Sequence, residues 1–289
     1  DWVWVNGLHR GELLADPARP CVTLPGRDDV TIRDLRDPAL GAARRVDIAL
    51  QGPKSRDILL SLHGDDATKA RIKALPWAGV TRATLGGYDL VVARTGYTGE
   101  RIAFELFIDP DQAPALFKDL VESGATPIGL AARDSLRTEA GLPLYGHELA
   151  GGLNLTPADA GFGGYVKTWK PFFVGKAAFL ARELKRDAVV TRFRLDSKGV
   201  RAPHPGDPLV DARGRVVGTV TSCSIDSEGY QLGQAYIKLT HADEGTPLFV
   251  FQGAASTTLK KPLGELAIGD KTLVPNAVTV LSRFPTRRK

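Results

Sequence analysis

Methionine is absent from all 289 residues, and cysteine occurs only twice, at Cys21 and Cys223. Two cysteines so far apart in the chain have neither the C-x-x-C spacing of a zinc or redox motif nor the density of a disulfide framework. They read as reduced thiols, so the expected compartment is the cytoplasm, or the mitochondrial matrix in a eukaryote. No apolar run reaches the roughly 20 residues that span a bilayer as a helix. Neither charge sign dominates: 38 Lys and Arg stand against 33 Asp and Glu, a net +5. The densest basic run, Arg283, Arg287, Arg288 and Lys289, reads as a solubilising C-terminal tail. With no basic stripe along one element, the sequence points away from nucleic acid and membrane. Its small positive excess favours an anionic small molecule or an acidic protein. The missing initiator has a second implication. Asp1 is followed at once by Trp2-Val3-Trp4-Val5, which reads as the start of a fragment or a processed chain whose front segment is lost.

What is present is an ordinary globular mixture, 43% hydrophobic and 25% charged, with enough length for about two domains. Residues 1–45 alternate short apolar runs with Pro17, Pro20, Pro25 and Gly26. They read as loops and short strands, a linker or the remnant of an N-terminal region. Strands are expected at 46–51, 77–85, 88–93 and 104–108, with Gly86-Gly87 as a hairpin turn. Helices are expected at 54–62, 113–123 and 128–140 from apolar residues recurring every three to four positions. Residues 156–187 read as a β-hairpin, with Tyr165 and Lys167 alternating on a strand, followed by a helix at 175–185. Beyond 187 the texture becomes short alternating strands at 189–195, 208–210, 215–222, 234–237 and 247–251, an all-β barrel or roll. The fold class is therefore α+β, with one mixed domain over 46–187 and a β-barrel over 188–289.

Three segments could carry chemistry. Arg94-Thr95-Gly96-Tyr97-Thr98-Gly99-Glu100 places a tyrosine between two glycines just after a strand, with Glu105 on the next strand. A carboxylate there can pair bidentately with an amidine-like N–H edge, and the tyrosine offers a flat face and a hydroxyl. The same pattern also fits a hairpin turn whose tyrosine packs on the core. The second segment runs from Ala132 to Leu149. It sets Arg133 and Arg137 on one helix face beside Asp134 and Glu139, and ends in a loop with His147 and Glu148. The arginines fit an anion-binding face or a ladder of ion pairs. The third runs from Pro157 to Lys167 and combines turn glycines with Tyr165. No Ser-His-Asp order, phosphate loop, dinucleotide fingerprint or zinc motif is present.

Taken together and in this order, Leu50-Gln51-Gly52-Pro53, Arg94 to Glu100, Phe104-Glu105-Leu106, Ala132 to Leu149, Pro157 to Lys167 and Phe173 to Ala177 resemble the aminomethyltransferase family, the T-protein of the glycine cleavage system. The likeness extends over residues 46–285 and is most specific from Ala132 to Leu149. It implies a folate-dependent enzyme with three domains around a tetrahydrofolate pocket. It also implies that 46–187 is the folate-binding part. The implied reaction takes the aminomethyl group from the lipoyl arm of the H-protein, releases ammonia and passes one carbon to tetrahydrofolate. The family pattern assigns Glu105 to the pterin N–H edge, Tyr97 and Tyr165 to the folate surface, and Arg133 to the folate or its entrance. Tyr165 stands where many members have tryptophan.

Three departures qualify the match. Arg101-Ile102-Ala103 makes the spacing from Glu100 to Phe104 one residue longer than usual, which predicts a displaced Glu105 or a β-bulge. Residues 1–45 match no family segment. The family's upstream catalytic aspartate, in its Gly-Gly context, has no counterpart, and Asp28, Asp29 and Asp34 are poor substitutes. The catalytic residue is therefore unassigned, and weak activity is expected of this chain alone. A diverged folate-dependent demethylase acting on a small methyl donor, or the folate domain of a dimethylglycine or sarcosine oxidoreductase, is the alternative. A non-catalytic folate-binding module ranks last, since its Cys-bearing motif is replaced here by Phe172-Phe173-Val174-Gly175-Lys176.

Overall fold

The computed structural model describes residues 2–14, 29–252, 265, 267–269 and 274–285. Cys21, Asp28, the turn residues Pro17 to Gly26, and Arg287 to Lys289 lie outside the described residues. The chain separates into two compact units, 1–96 with 100–127 and 170–177, and 97–99 with 128–169 and 178–289.

The first unit is built on an antiparallel sheet of β1 (Val46–Gln51), β2 (Val80–Leu85), β3 (Tyr88–Ala93) and β4 (Ala103–Ile108), in the order β1-β4-β3-β2. Helices α2 (Ser55–Ser61), α3 (Asp66–Ala74) and α4 (Ala113–Glu122) accompany it, after α1 (Trp2–His9). Alternation along each strand sorts the side chains. Leu50, Leu85, Leu90, Val92, Phe104, Leu106 and Ile108 point to one face, where they bury Ile58, Leu59, Ile72, Leu116 and Leu120 of the helices. The opposite face carries Asp47, Ala49, Glu105, Phe107, Val91 and Ala93 as cross-strand neighbours. α3 starts where Asp65 caps the Thr68 amide at 2.7 Å, a standard aspartate N-cap.

The structure corrects several expectations. Trp2–His9 is helical, although residues 1–45 read as loops and short strands. Helix α3 was not anticipated, because only Ile72 and Thr68 of its nine residues are buried and its apolar periodicity is weak. The extra residue before Phe104 produces no bulge. Registers run unbroken from Val46 opposite Ile108 to Gln51 opposite Ala103, so the insertion is absorbed in the turn ahead of β4.

The second unit contains α5 (Leu130–Glu139), α6 (Lys176–Glu183, whose first two residues count with the first unit), and six strands. These are β5 (Ala188–Leu195), β6 (Pro208–Val210), β7 (Val216–Ile225), β8 (Gln231–Lys238), β9 (Pro247–Val250) and β10 (Asn276–Leu281). They close into a barrel in the order β10-β5-β8-β7-β6-β9. The barrel core is Phe193, Leu195, Leu209, Val220, Ala235, Ile237, Leu248, Val250, Val278 and Val280. The closing strand β10 was missing from the sequence-based expectation. The hairpin expected within 156–187 is also absent. Gly163–Tyr165 is a short 3-10 helix, so Tyr165 and Lys167 do not alternate on a strand. The glycines there set turns, with Gly161 at φ +81°.

Besides a register shift between β6 and β7, the barrel carries an irregularity beside α5. The β7–β8 register shifts at Thr221, between Val220 opposite Ala235 and Ser222 opposite Gln234. Val220 and Ala235 belong to the barrel core. Without the extra residue, Ser222 would point the same way as Val220. The bulge turns Ser222 to the outer wall beside Gln234, against α5.

Candidate functional site

Within the first unit, Glu105 stands on the sheet face away from the hydrophobic core. Its direct neighbours across the sheet are Ala49 of β1 and Ala93 of β3. Two methyl groups leave space over the carboxylate. Thr95 Oγ1 donates a hydrogen bond to Glu105 Oε2. That contact fixes the carboxylate's rotation, and a carboxylate so fixed can accept a paired N–H edge. Gly96, next in the chain, has no room for a side chain, since a Cβ there would strike Ala103 and Gln51. Asp34, one of the weak stand-ins for a catalytic acid, is held by the guanidinium and backbone amide of Arg36 at 3.0 Å. Its carboxylate serves a local surface pair.

Tyr97, Arg133 and Tyr165 belong to the second unit. The Tyr97 hydroxyl donates a hydrogen bond to the Pro143 carbonyl, in the turn that follows α5. Burial pushes its phenol above the usual tyrosine range, and the positive charges of Arg137, Arg283 and Arg133 pull the other way. Arg133 and Tyr97 are thus within electrostatic reach of each other. Gly99, at φ +84°, lies flat against Ala140, and any side chain there would collide with it. Tyr165 is 79% exposed. One side of its ring meets Phe162, with centroids 5.7 Å apart, and the remainder is open.

The second arginine of α5 has a different role from the first. Arg137 is 2% exposed and Glu148 is 0% exposed. Arg137 Nη1 donates to Glu148 Oε2 at 2.9 Å, Nε to Asp134 at 2.7 Å, and Nη2 to Ser222 Oγ at 2.8 Å. Ser222 Oγ donates in turn to Glu148 Oε1 at 2.6 Å, and the Leu144 amide to Glu148 Oε2 at 2.9 Å. This is a saturated buried ion pair, which is the condition under which such a pair is tolerated. His147 Nδ1 lies 3.1 Å from the Thr221 carbonyl, an acceptor, so the ring nitrogen is the donor and the imidazole is a tether. Arg192, also buried, donates to the Glu139 carbonyl at the C-terminus of α5 at 3.0 Å. A cation there complements the helix dipole. The barrel wall therefore grips α5, and the ion-pair reading applies to Arg137, while Arg133 is only partly buried.

Ser222, Gln234, Arg192 and Arg283 escaped the sequence reading. The first three lie in barrel strands whose polar residues alternate as any outer wall would. Arg283 looked like part of a basic tail. In the structure it is half-buried, and burial holds its guanidinium down at about 10.

Residues 28–170 match the family model of the GCVT N-terminal domain. The chain is 42% identical over 210 residues to an aminomethyltransferase of Saccharopolyspora erythraea, covering 70% of this chain and 54% of that protein. It is 41% identical over 230 residues to the Streptomyces avermitilis protein of the same name, covering 76% and 58%. Among solved structures, the glycine cleavage system aminomethyltransferase T from Bartonella henselae superposes with a TM-score of 0.62 at 29% identity, over 82% of this chain and 58% of that one. The chain spans little more than half the length of these relatives.

Proposed function

We propose that this chain is a member of the aminomethyltransferase family and acts in one-carbon transfer to tetrahydrofolate, as the T component of a glycine cleavage system. The donor in this reading is the aminomethyl group on a lipoylated H-protein, and ammonia is released. The observation that carries it is Glu105. Its carboxylate is bonded by Thr95, has alanines as its direct cross-strand neighbours, and lies on the sheet face away from the hydrophobic core. That donor-accepting geometry fits the N–H edge of a reduced pterin.

Tetrahydrofolate supplies the nitrogen nucleophiles that take up the one-carbon unit; the residues of this chain bind and orient. Glu105 accepts the paired N–H edge and so fixes the ring in its plane. Tyr165 offers an exposed aromatic face, suited to stacking. Arg133 supports recognition of the anionic glutamyl end. Tyr97's hydroxyl is committed to the Pro143 carbonyl, in the turn behind α5. No residue of the chain is assigned as the proton-transferring group.

Titration of the chain with tetrahydrofolate by calorimetry tests the binding half of this reading. Saturable binding that Glu105→Gln weakens is expected, and absence of binding overturns it. Turnover with aminomethylated H-protein, set against small methyl donors, tests the donor. Transfer from a small methyl donor alone would replace the aminomethyltransferase reading with a demethylase.

A further inference from the structure

We propose that Arg283 is a positioning residue that holds Tyr97 and Tyr165 in register with each other from just beyond the barrel's closing strand. The proposal rests on the folate-site reading for its functional consequence, though not for its geometry.

Arg283 follows β10 and reaches two segments at once. Nε donates to the Ala160 carbonyl at 2.9 Å, and Nη1 donates to Gln234 Oε1 at 3.0 Å. The first bond leads to Tyr165. Ala160 lies within the turn, begun at Pro157, that leads into Phe162, whose ring stands against Tyr165 and lies 5.7 Å from the guanidinium carbon. Phe284 completes the stack, at 4.8 Å from the same carbon and edge-on to Phe162. The second bond leads to Tyr97. Gln234, fully buried, donates Nε2 to the Leu142 carbonyl at 2.8 Å, and the next carbonyl, of Pro143, accepts from Tyr97. Two glycines accommodate the arginine. A Cβ on Gly161, at φ +81°, would come within 3.0 Å of Nε, and one on Gly141 would strike the Arg283 carbonyl.

Stability alone does not account for a guanidinium at this point. It is desolvated enough to lower its pKa to about 10. Its Nη2 is buried without a hydrogen-bond partner among the described residues. Burying a donor unpaired costs stability, and an apolar side chain of similar length would avoid that cost. What an apolar side chain cannot do is donate in two fixed directions from one rigid plane, which is the property of arginine that lysine also lacks. The two donations tie the turn of Tyr165 and the turn beneath Tyr97 to one planar group.

The test uses the full chain labelled with 3-fluorotyrosine, with the fluorine resonances of Tyr97 and Tyr165 assigned by Tyr97→Phe and Tyr165→Phe. In Arg283→Met and Arg283→Lys, both resonances are expected to shift or broaden, while that of Tyr236 in β8 stays in place and the fold melts cooperatively. Tetrahydrofolate affinity should fall by about fivefold, the size of a modest coupling between contacting residues. Gln234→Leu severs only the branch to Leu142. It should perturb the Tyr97 resonance and leave Tyr165 unmoved, and it decides the question should the Arg283 variants fail to fold. Unchanged Tyr97 and Tyr165 resonances in folded Arg283→Met, or an unchanged Tyr97 resonance in Gln234→Leu, overturn the proposal. A wild-type chain that binds no tetrahydrofolate overturns the functional reading instead, and the fluorine spectra still decide the positioning.

Discussion

Ser222 Oγ and the Glu148 carboxylate, residues far apart in the chain, are joined by a 2.6 Å hydrogen bond in which the serine donates. The same oxygen accepts from Arg137 at 2.8 Å. A single hydroxyl thus bridges both members of a buried ion pair, and it is in place because the bulge at Thr221 turns it out of the barrel.

Ser222→Ala removes that bridge and leaves Glu148 Oε1 and Arg137 Nη2 each one partner short in a buried setting. A loss of about 1–3 kcal/mol is expected, the usual cost of a buried polar group left unpaired. Urea denaturation measures it. A loss within error would mean that the pair relaxes onto other donors.

Glu105→Gln keeps the shape of the side chain and removes its charge. Charge-assisted bonds to a paired N–H edge then become ordinary ones, and tetrahydrofolate affinity should drop by about tenfold or more. The Thr95 contact can be retained by the amide oxygen, so the melting temperature should move little. Calorimetry and thermal denaturation separate the two effects.

Tyr97 gives a pH prediction with a definite sign. Burial raises its folded pKa above the value near 10 of a free phenol. The folded state therefore holds this proton at pH values where the unfolded chain has released it. The associated stability is fully present below about pH 10 and is lost as the pH rises through the folded value. Tyr88 and Tyr236 are raised as well, so tyrosinate absorbance near 295 nm should show a late component that shrinks, without vanishing, in Tyr97→Phe. An early, exposed-type titration for that component would contradict the burial.

Cys223 is expected to be slow towards thiol reagents. Burial pushes its thiol up to about 12, so almost no thiolate is present at neutral pH. In a Cys21→Ser background, the native chain should label with an aromatic disulfide reagent far more slowly than the chain in urea. Equal rates would place Cys223 in a solvent-accessible setting.

Much of the fold was legible beforehand for a simple reason. In Val46–Gln51, Tyr88–Ala93 and Ala103–Ile108, one face is buried and the other is not, so apolar and polar residues alternate and the strand period can be read directly. Gly86-Gly87 specified its own hairpin, since both residues need positive φ. Likewise α4 announced itself through Leu116 and Leu120 on one buried stripe. α3 is different. Its two buried residues are Thr68 and Ile72, and with one of them polar a lone isoleucine leaves no apolar stripe to read.

The candidate site divides along the same line. That a glutamate would follow the Gly-Tyr-Thr-Gly turn, and that two arginines would share a helix face, are properties of local order and period. The sequence by itself determined these. Which arginine is buried was decided only by the fold, because the choice depends on where Glu148 and Ser222 arrive from distant parts of the chain. The fold also took Tyr97's hydroxyl for Pro143, placed Glu105 in unbroken register despite an inserted residue, and drew Arg283 out of an apparent tail into a buried fork. Each of these rests on a long-range contact, and a one-residue bulge or a closing strand can redirect a side chain without leaving any periodic mark on the sequence.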